Sequence, residues 1–263
     1  MKKDIVVIGA GPAGLSLACS LADSSVELLV VSADSRFSEI RRMMGISADL
    51  HDFGRVCIVC RMRHERSHEG IAHECFFYGQ TLAVLPLSDR ESSIVITVSS
   101  DKADRIMDMT PQEFNRQVER QFKDKLGRME LSSEKFLYPL VATWASRLIG
   151  QRFALIGDAA VGMHPVTAHG FNLGLRSQHT LARLINAATQ SGVDIGSVGL
   201  LNQYHSSHRR VARPIYLGTN AIVKLFTNDR PLHRLARKAV LRFGNIFPPI
   251  RNGITRQLTD TGG

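Results

Sequence analysis

Apolar positions along the chain fall into distinct textures. Residues Asp4–Ile8 form a compact apolar run that ends in glycine. Leu15, Leu17, Ala18 and Leu21 then recur at helical spacing, and Val26–Val31 is a second continuous apolar run. Strand, glycine turn, helix and strand in that order predict a βαβ unit. From about Gly54 to Ser100 the texture changes. GRVCIVCRMRHE, IAHECFFYG, TLAVLPL and SSIVITVSS are short runs separated by turns, which predicts a mainly antiparallel sheet. Pro111 opens a helix through Gly127, with Phe114, Val118, Phe122 and Leu126 four residues apart. Phe136–Ala145 reads as extended and Phe153–Ile156 as a buried strand. From Phe171 onward the pattern is helical, with a break around Pro231 and an end around Pro248–Pro249. Neither an internal repeat nor a low-complexity tract is present.

Glycines punctuate this pattern at two places. Gly9, Gly11 and Gly14 stand in G-x-G-x-x-G spacing, after a strand and at the start of a helix. The first glycine permits a tight turn, the second lets backbone approach a pyrophosphate, and the third lets helix lie close on strand. The helix N-terminus adds free N–H groups and positive dipole. Such a unit carries an acid at the end of its second strand for a ribose hydroxyl. Here Val26–Val31 is followed by Ser32, with Glu27 too early and Asp34 two residues late. Serine can donate one hydrogen bond but lacks the charged acceptor, so weakened nucleotide affinity is expected.

The second place is GDAA at Gly157–Ala160, followed by HPVTAHGFNLGLR. Asp158, after a buried strand, is placed to accept hydroxyl hydrogens from a sugar or ribityl chain; a helix N-cap is the alternative. Pro165 stiffens a loop, and Gly170 and Gly174 let backbone lie against a flat ligand. His164 and His169 read either as acid–base groups or as loop hydrogen-bonding residues, the second being favoured.

The 263 residues, 44% apolar and 22% charged, allow one large domain or two closely packed ones. There is no run of about 18 apolar residues, so no membrane-spanning helix is expected. Lys2 and Lys3 lead directly into a short strand, which reads as a mature cytoplasmic start. Cys57 and Cys60 form a C-x-x-C followed by His64, His68, His73 and Cys75. On a strand, residues three apart diverge, so no zinc site is expected, and four cysteines in a chain this long do not suggest a disulfide framework. The net charge is +9. Between Tyr204 and Arg256 the bases are Arg209, Arg210, Arg213, Lys224, Arg230, Arg234, Arg237, Lys238, Arg242, Arg251 and Arg256, and the acid is Asp229. With Ile222, Leu225, Phe226, Leu232, Leu235, Val240 and Phe243 they read equally as a membrane- or partner-facing surface or as a solvated face over the core. Without a recognition motif or interleaved aromatics, no nucleic-acid partner is expected.

Together DIVVIGAGPAG, ADSRFSEIRRMMGI at Ala33–Ile46 and FALIGDAAVGMHPVTAHGFNLGLRSQ at Phe153–Gln178 resemble the class A FAD-dependent aromatic hydroxylases, with the p-hydroxybenzoate hydroxylase fold. TLAVLPL at Thr81–Leu87 and RPIYLGTNAIVKLFTNDRP at Arg213–Pro231 resemble the ubiquinone-biosynthesis branch. The resemblance implies an α/β protein: a truncated Rossmann-like FAD-binding domain at 1–50 and 145–190, an inserted antiparallel substrate domain at 51–144, and a helical region at 191–263. It implies that Gly9, Gly11, Pro12, Ala13 and Gly14 hold the ADP part of FAD, and that Asp158 contacts the ribityl and pyrophosphate region. Pro165, Gly170, Asn172 and Leu173 would lie beside the isoalloxazine. Asp34, Arg36 and Arg41 would serve FAD and a transient NAD(P)H. NAD(P)H would reduce the flavin, oxygen would add to it, and the C4a-hydroperoxide would hydroxylate a polyprenylated phenol or quinol, with no catalytic side chain and no metal. The implied location is cytoplasmic and peripheral to the inner membrane, within a quinone-biosynthesis assembly. Relative to the family a long segment is missing between Val31 and the Ala33–Ile46 motif, which explains Ser32. The alternative function is therefore a non-catalytic shortened paralogue acting as an interaction module.

Overall fold

The computed structural model describes residues 6–22, 31–77, 79–164 and 169–227. In chain order the elements are α1 (Pro12–Leu21), α2 (Glu39–Met43), β1 (Ala48–His64), β2 (His73–Phe77), β3 (Gln80–Ser88) and β4 (Glu91–Ser99). Then come α3 (Ala103–Met107), α4 (Pro111–Phe122), β5 (Met129–Leu131), β6 (Phe136–Ala145), β7 (Ile149–Gly150) and β8 (Phe153–Ala154). α5 (Gly157–Ala160), β9 (Val161–Gly162), α6 (His169–Gln190) and α7 (Val198–Thr227) complete the order. The chain forms two compact units, Met1–His51 with Val141–Gly263, and Asp52–Leu140. β1 and β6 carry the backbone from one to the other.

The inserted unit is an antiparallel sheet in the order β2-β3-β4-β1, with β5 pairing the end of β1. Strand alternation sends Val56, Ile58, Cys60 and Met62 to one face, where they meet Ile94, Ile96 and Val98. Phe114, Val118 and Phe122 of α4 cover that face. Thr110 just before Pro111 and Glu113 in the first turn form a capping box, so this helix starts where its sequence predicts. It stops at Phe122 rather than near Gly127, because Lys123 takes a left-handed conformation at φ +56°. Leu126 is buried beyond the helix. Cys57 lies on the opposite face from Cys60, within 3.4 Å of Thr97 Oγ1. His64 is within hydrogen-bond distance of Arg66 O (2.7 Å) and Ser92 Oγ (3.0 Å), and His73 packs edge-on against Phe122. Among the described residues no group of acids, histidines and cysteines is arranged to hold a metal.

In the other unit the backbone at Ile8, Ser32 and Leu155 runs parallel, with Ser32 in the middle. Ile8 N donates to Val31 O and Ala33 N to Ile8 O, both at 2.7 Å; Ile156 N donates to Ser32 O at 3.1 Å. α1 and α6 pack on these strands through Leu17, Leu21, Leu181 and Ile185, and α7 closes the core with Tyr204, whose hydroxyl donates to Leu155 O at 2.6 Å. The expected strand Phe153–Ile156 is divided in use: Phe153 and Ala154 pair antiparallel with β7, while Leu155 joins Ser32. Residues 26–30 of the expected second strand, and the breaks at Pro231 and Pro248–Pro249, lie outside the described residues.

Candidate functional site: a glycine-lined cleft

The two glycine motifs meet. Gly9–Ala13, Ala33–Ser35, Gly157, Asp158, Gly170, Phe171 and Gly174 line one cleft of about 480 Å³. Each glycine has its own reason. At Gly9 φ is +112°, and a Cβ would lie 2.5 Å from Ala33 O; at Gly14 a Cβ would lie 2.1 Å from Gly9 O. These two close the turn and seat the helix. Gly11 and Gly170 are different: among the described residues a Cβ at Gly11 meets nothing nearer than 4.0 Å, and one at Gly170 meets nothing within 4 Å. Their bare backbone faces open cleft, which is what close approach of a ligand requires. Gly11 is also the N-cap of α1 and makes no side-chain cap bond, so the first-turn N–H groups of this ten-residue helix remain available to an anion.

On the opposite wall, Asp158 sits in the first turn of α5, whose N-cap is Ile156; the N-cap alternative for Asp158 is thus set aside. Its Oδ2 accepts from Arg36 Nη2 at 2.8 Å, and the two side chains are 34% and 26% exposed. Arg36 Nη1 donates to Val141 O at 3.0 Å, which fixes the guanidinium. Ser177 ties the wall to α6, accepting from Gly157 N at 3.0 Å and donating to Gly174 O at 2.6 Å.

Ser32 does not stand in for a ribose acid. It is 0% exposed, and its hydroxyl donates to Asp34 Oδ1. Ser38 donates to the same oxygen at 2.7 Å, and Ile40 N approaches Oδ2 at 3.4 Å. Burial pulls the Asp34 carboxyl upward, but these hydrogen bonds outweigh it and hold the group below the usual aspartate value. Asp34 is therefore an ionised group on the cleft wall. Ser35 beside it holds φ +91°, a conformation that suits glycine better.

Arg41 lies elsewhere. It is 3% exposed, donates from Nη1 to Ala159 O (2.9 Å) and from Nη2 to Arg36 O (3.1 Å), and so clamps α2 onto α5 from behind the cleft. Burial lowers its pKa, against the pull of the Asp34 charge. Leu173 faces the core, and Asn172 is exposed. Pro165 lies outside the described residues, and His164 is buried. Sequence reading missed Ser38, Phe171 and Ser177. Ser38 had a signal, a serine N-cap ahead of EIRRM that accepts from Arg41 N at 2.9 Å; Ser177 had none, because its role exists only where α6 crosses Gly157.

The residues present fit the pyrophosphate and ribityl side of FAD: an open backbone at Gly11 and Gly170, uncapped N–H groups and a fixed carboxylate. The adenosine ribose acid of the usual pattern is absent at Ser32.

Comparison with known proteins agrees with this geometry. Residues 29–217 match the FAD binding domain family. The chain is 52% identical over 231 residues to the ubiquinone hydroxylase UbiM of Neisseria meningitidis, covering 88% of this chain and 50% of that protein. It is 37% identical over 235 residues to the ubiquinone hydroxylase UbiL of Rhodospirillum rubrum, covering 88% and 55%. It thus spans about half the length of the curated relatives it matches. Among solved structures, p-nitrophenol 4-monooxygenase PnpA from Pseudomonas putida superposes with a TM-score of 0.65 at 18% identity, covering 89% of this chain and 59% of that one. The Diels-Alderase PyrE3 superposes with a TM-score of 0.66 at 19% identity, covering 89% and 50%. Neighbours with such different chemistries share the fold alone. Fold, cleft and sequence match agree: the chain belongs to the FAD binding domain family.

Proposed function

We propose that this protein binds FAD, accepts reducing equivalents from NAD(P)H and hydroxylates the aromatic ring of a polyprenylated phenol or quinol in ubiquinone biosynthesis. The supporting observation is the cleft in which GAGPAG and GDAA converge. In this reading the α1 N–H groups and the Gly11 backbone hold the pyrophosphate. Asp158, steadied by Arg36, accepts from the ribityl hydroxyls, and Gly170 lets the chain lie against the ring system. Asp34 and Arg36 serve the cofactor and the passing nicotinamide nucleotide, and Arg41 keeps that wall in place. Pro165, Asn172 and Leu173 complete the flavin side. FAD, when bound, supplies the oxygen-activating redox chemistry, while the protein orients it and excludes water. The names of the Neisseria and Rhodospirillum relatives support the substrate class. Among the described residues no helix is long and apolar enough to cross a membrane. A cytoplasmic protein peripheral to the inner membrane, within a quinone-biosynthesis assembly, fits this reading.

The absorption spectrum of the purified protein tests the proposal. Flavin bands near one equivalent after FAD addition, with NAD(P)H oxidation stimulated by a phenolic lipid, are expected; a colourless protein that takes up no FAD refutes it. The sequestered Ser32 favours one competitor, a non-catalytic interaction module. That reading predicts no flavin uptake but retained association with quinone-biosynthesis proteins, lost when residues 228–263 are deleted.

A further inference from the structure

The inserted unit carries two surface clefts of different electrical character. One, of about 860 Å³, is lined by Arg63, Arg116 and Arg128 together with Glu65, Glu119 and Glu130. Its three arginines are balanced by three glutamates, and Arg128 lies 3.5 Å from Glu65. The other, of about 440 Å³, is lined by Lys102, Arg105 and Arg120, three glutamines, and Val98, Ile106 and Met109, with no carboxylate among the described residues that line it. Neither Arg105 nor Arg120 forms an ion pair among the described residues. Asp101 is hydrogen-bonded to Ser99 and also interacts with the Lys102 charge, so the two arginines are the groove's free cations among the described residues.

Two segments build this groove. Arg105 and Ile106 lie on α3, flanked by Lys102 in the turn before it and Met109 just past its end, and Gln117, Arg120 and Gln121 fall at i, i+3 and i+4 on one stripe of α4. Gln80 on the sheet side donates from Nε2 to Gln121 Oε1 at 3.0 Å and holds the strand end to α4. Phe77 pairs directly with Gln80 across β2 and β3, so its ring shares that face beside the groove, and it is 39% exposed. Unpaired guanidinium forks, an apolar floor and an exposed aromatic ring form a surface that is cationic and apolar at once. Arginine forks match phosphate oxygens, and aromatic side chains suit the zone where head groups meet acyl chains.

We propose that this groove docks the protein on an anionic lipid surface, with Lys102, Arg105 and Arg120 holding phosphate head groups and Phe77 entering the acyl boundary. The site is separate from the glycine-lined cleft and does not depend on flavin binding. Co-sedimentation of the full chain with phosphatidylcholine vesicles containing phosphatidylglycerol tests it, with pure phosphatidylcholine as the uncharged comparison. Arg105→Glu/Arg120→Glu is expected to weaken anionic-vesicle binding by about tenfold or more. Arg63→Glu/Arg116→Glu, with the same change in net charge in the charge-balanced cleft, is expected to change it less than about twofold. Arg105→Gln/Arg120→Gln gives a milder loss if charge reversal impairs folding, as checked by circular dichroism, and Phe77→Ser weakens binding without changing charge. Equal loss in both charge-reversal variants, no loss in the groove variants, or no preference for anionic vesicles overturns the proposal.

Discussion

His208 offers a quantitative test of the packing between α6 and α7. It is 2% exposed, its ring stacks on Tyr204 at 6.0 Å, and its Nδ1 has no hydrogen-bond partner among the described residues. Burial, aided by the Arg176 cation, pushes its pKa from 6.5 down to about 4. The folded state thus holds the neutral ring, while the unfolded chain protonates from about pH 6.5 downward. The linked stability is intact above pH 6.5, falls as the pH drops, and is lost once the pH passes below about 4. At ~1.36 kcal/mol per pH unit, the interval between the two values corresponds to about 3 kcal/mol. Replacing His208 with Gln removes the titration. Urea denaturation of both proteins between pH 7.5 and 4.5 should show a stability difference that narrows by about 2 kcal/mol as wild type loses its advantage. Comparing the two cancels the contributions of His205, also lowered by burial, and of the carboxylates. Parallel pH profiles would refute the reasoning, because they would mean that His208 titrates alike in the folded and unfolded states.

The glycines of the first motif should separate folding from binding. Gly14→Ala, whose Cβ would lie 2.1 Å from Gly9 O, should cost about 2–3 kcal/mol by thermal melting, whereas Gly11→Ala, with space to 4.0 Å, should melt like wild type yet weaken FAD binding about tenfold by fluorescence titration. Ser32→Glu, intended to restore the ribose acid, should instead destabilise by about 3 kcal/mol or more, read as a lowered Tm, because the position is fully buried beside Asp34. Lys135 Nζ donates to the carbonyls of Ile106, Met107 and Met109, so Lys135→Met should cost about 2 kcal/mol in urea denaturation.

Local rules made much of the fold legible. Period-two alternation in RVCIVCRM and SSIVITVSS gave the antiparallel sheet, and Pro111 with the four-residue spacing of Phe114, Val118 and Phe122 gave α4. The same rules overran the end of α4, because the left-handed turn at Lys123 leaves no glycine behind as a signal. The cations from Lys224 to Arg256, and the apolar residues beside them, lie outside the described side chains, so the two readings of that surface stand side by side. Arg209, earlier in the chain, donates to Ala145 O (3.3 Å) and Ser146 O (2.6 Å) and lies 4.9 Å from the Trp144 ring.

Sequence alone determined the family and the two glycine motifs that line the cleft, because G-x-G-x-x-G and GDAA depend on short-range backbone geometry that residue identity and spacing already encode. Tertiary structure decided how the nearby side chains are used. It placed Ser32 between two parallel neighbours, where its hydroxyl serves Asp34 rather than a ligand. It also turned Arg41 into a clamp on Ala159, 118 residues away in the chain. Burial and hydrogen-bond partners are properties of packing, and no local pattern could have assigned those roles.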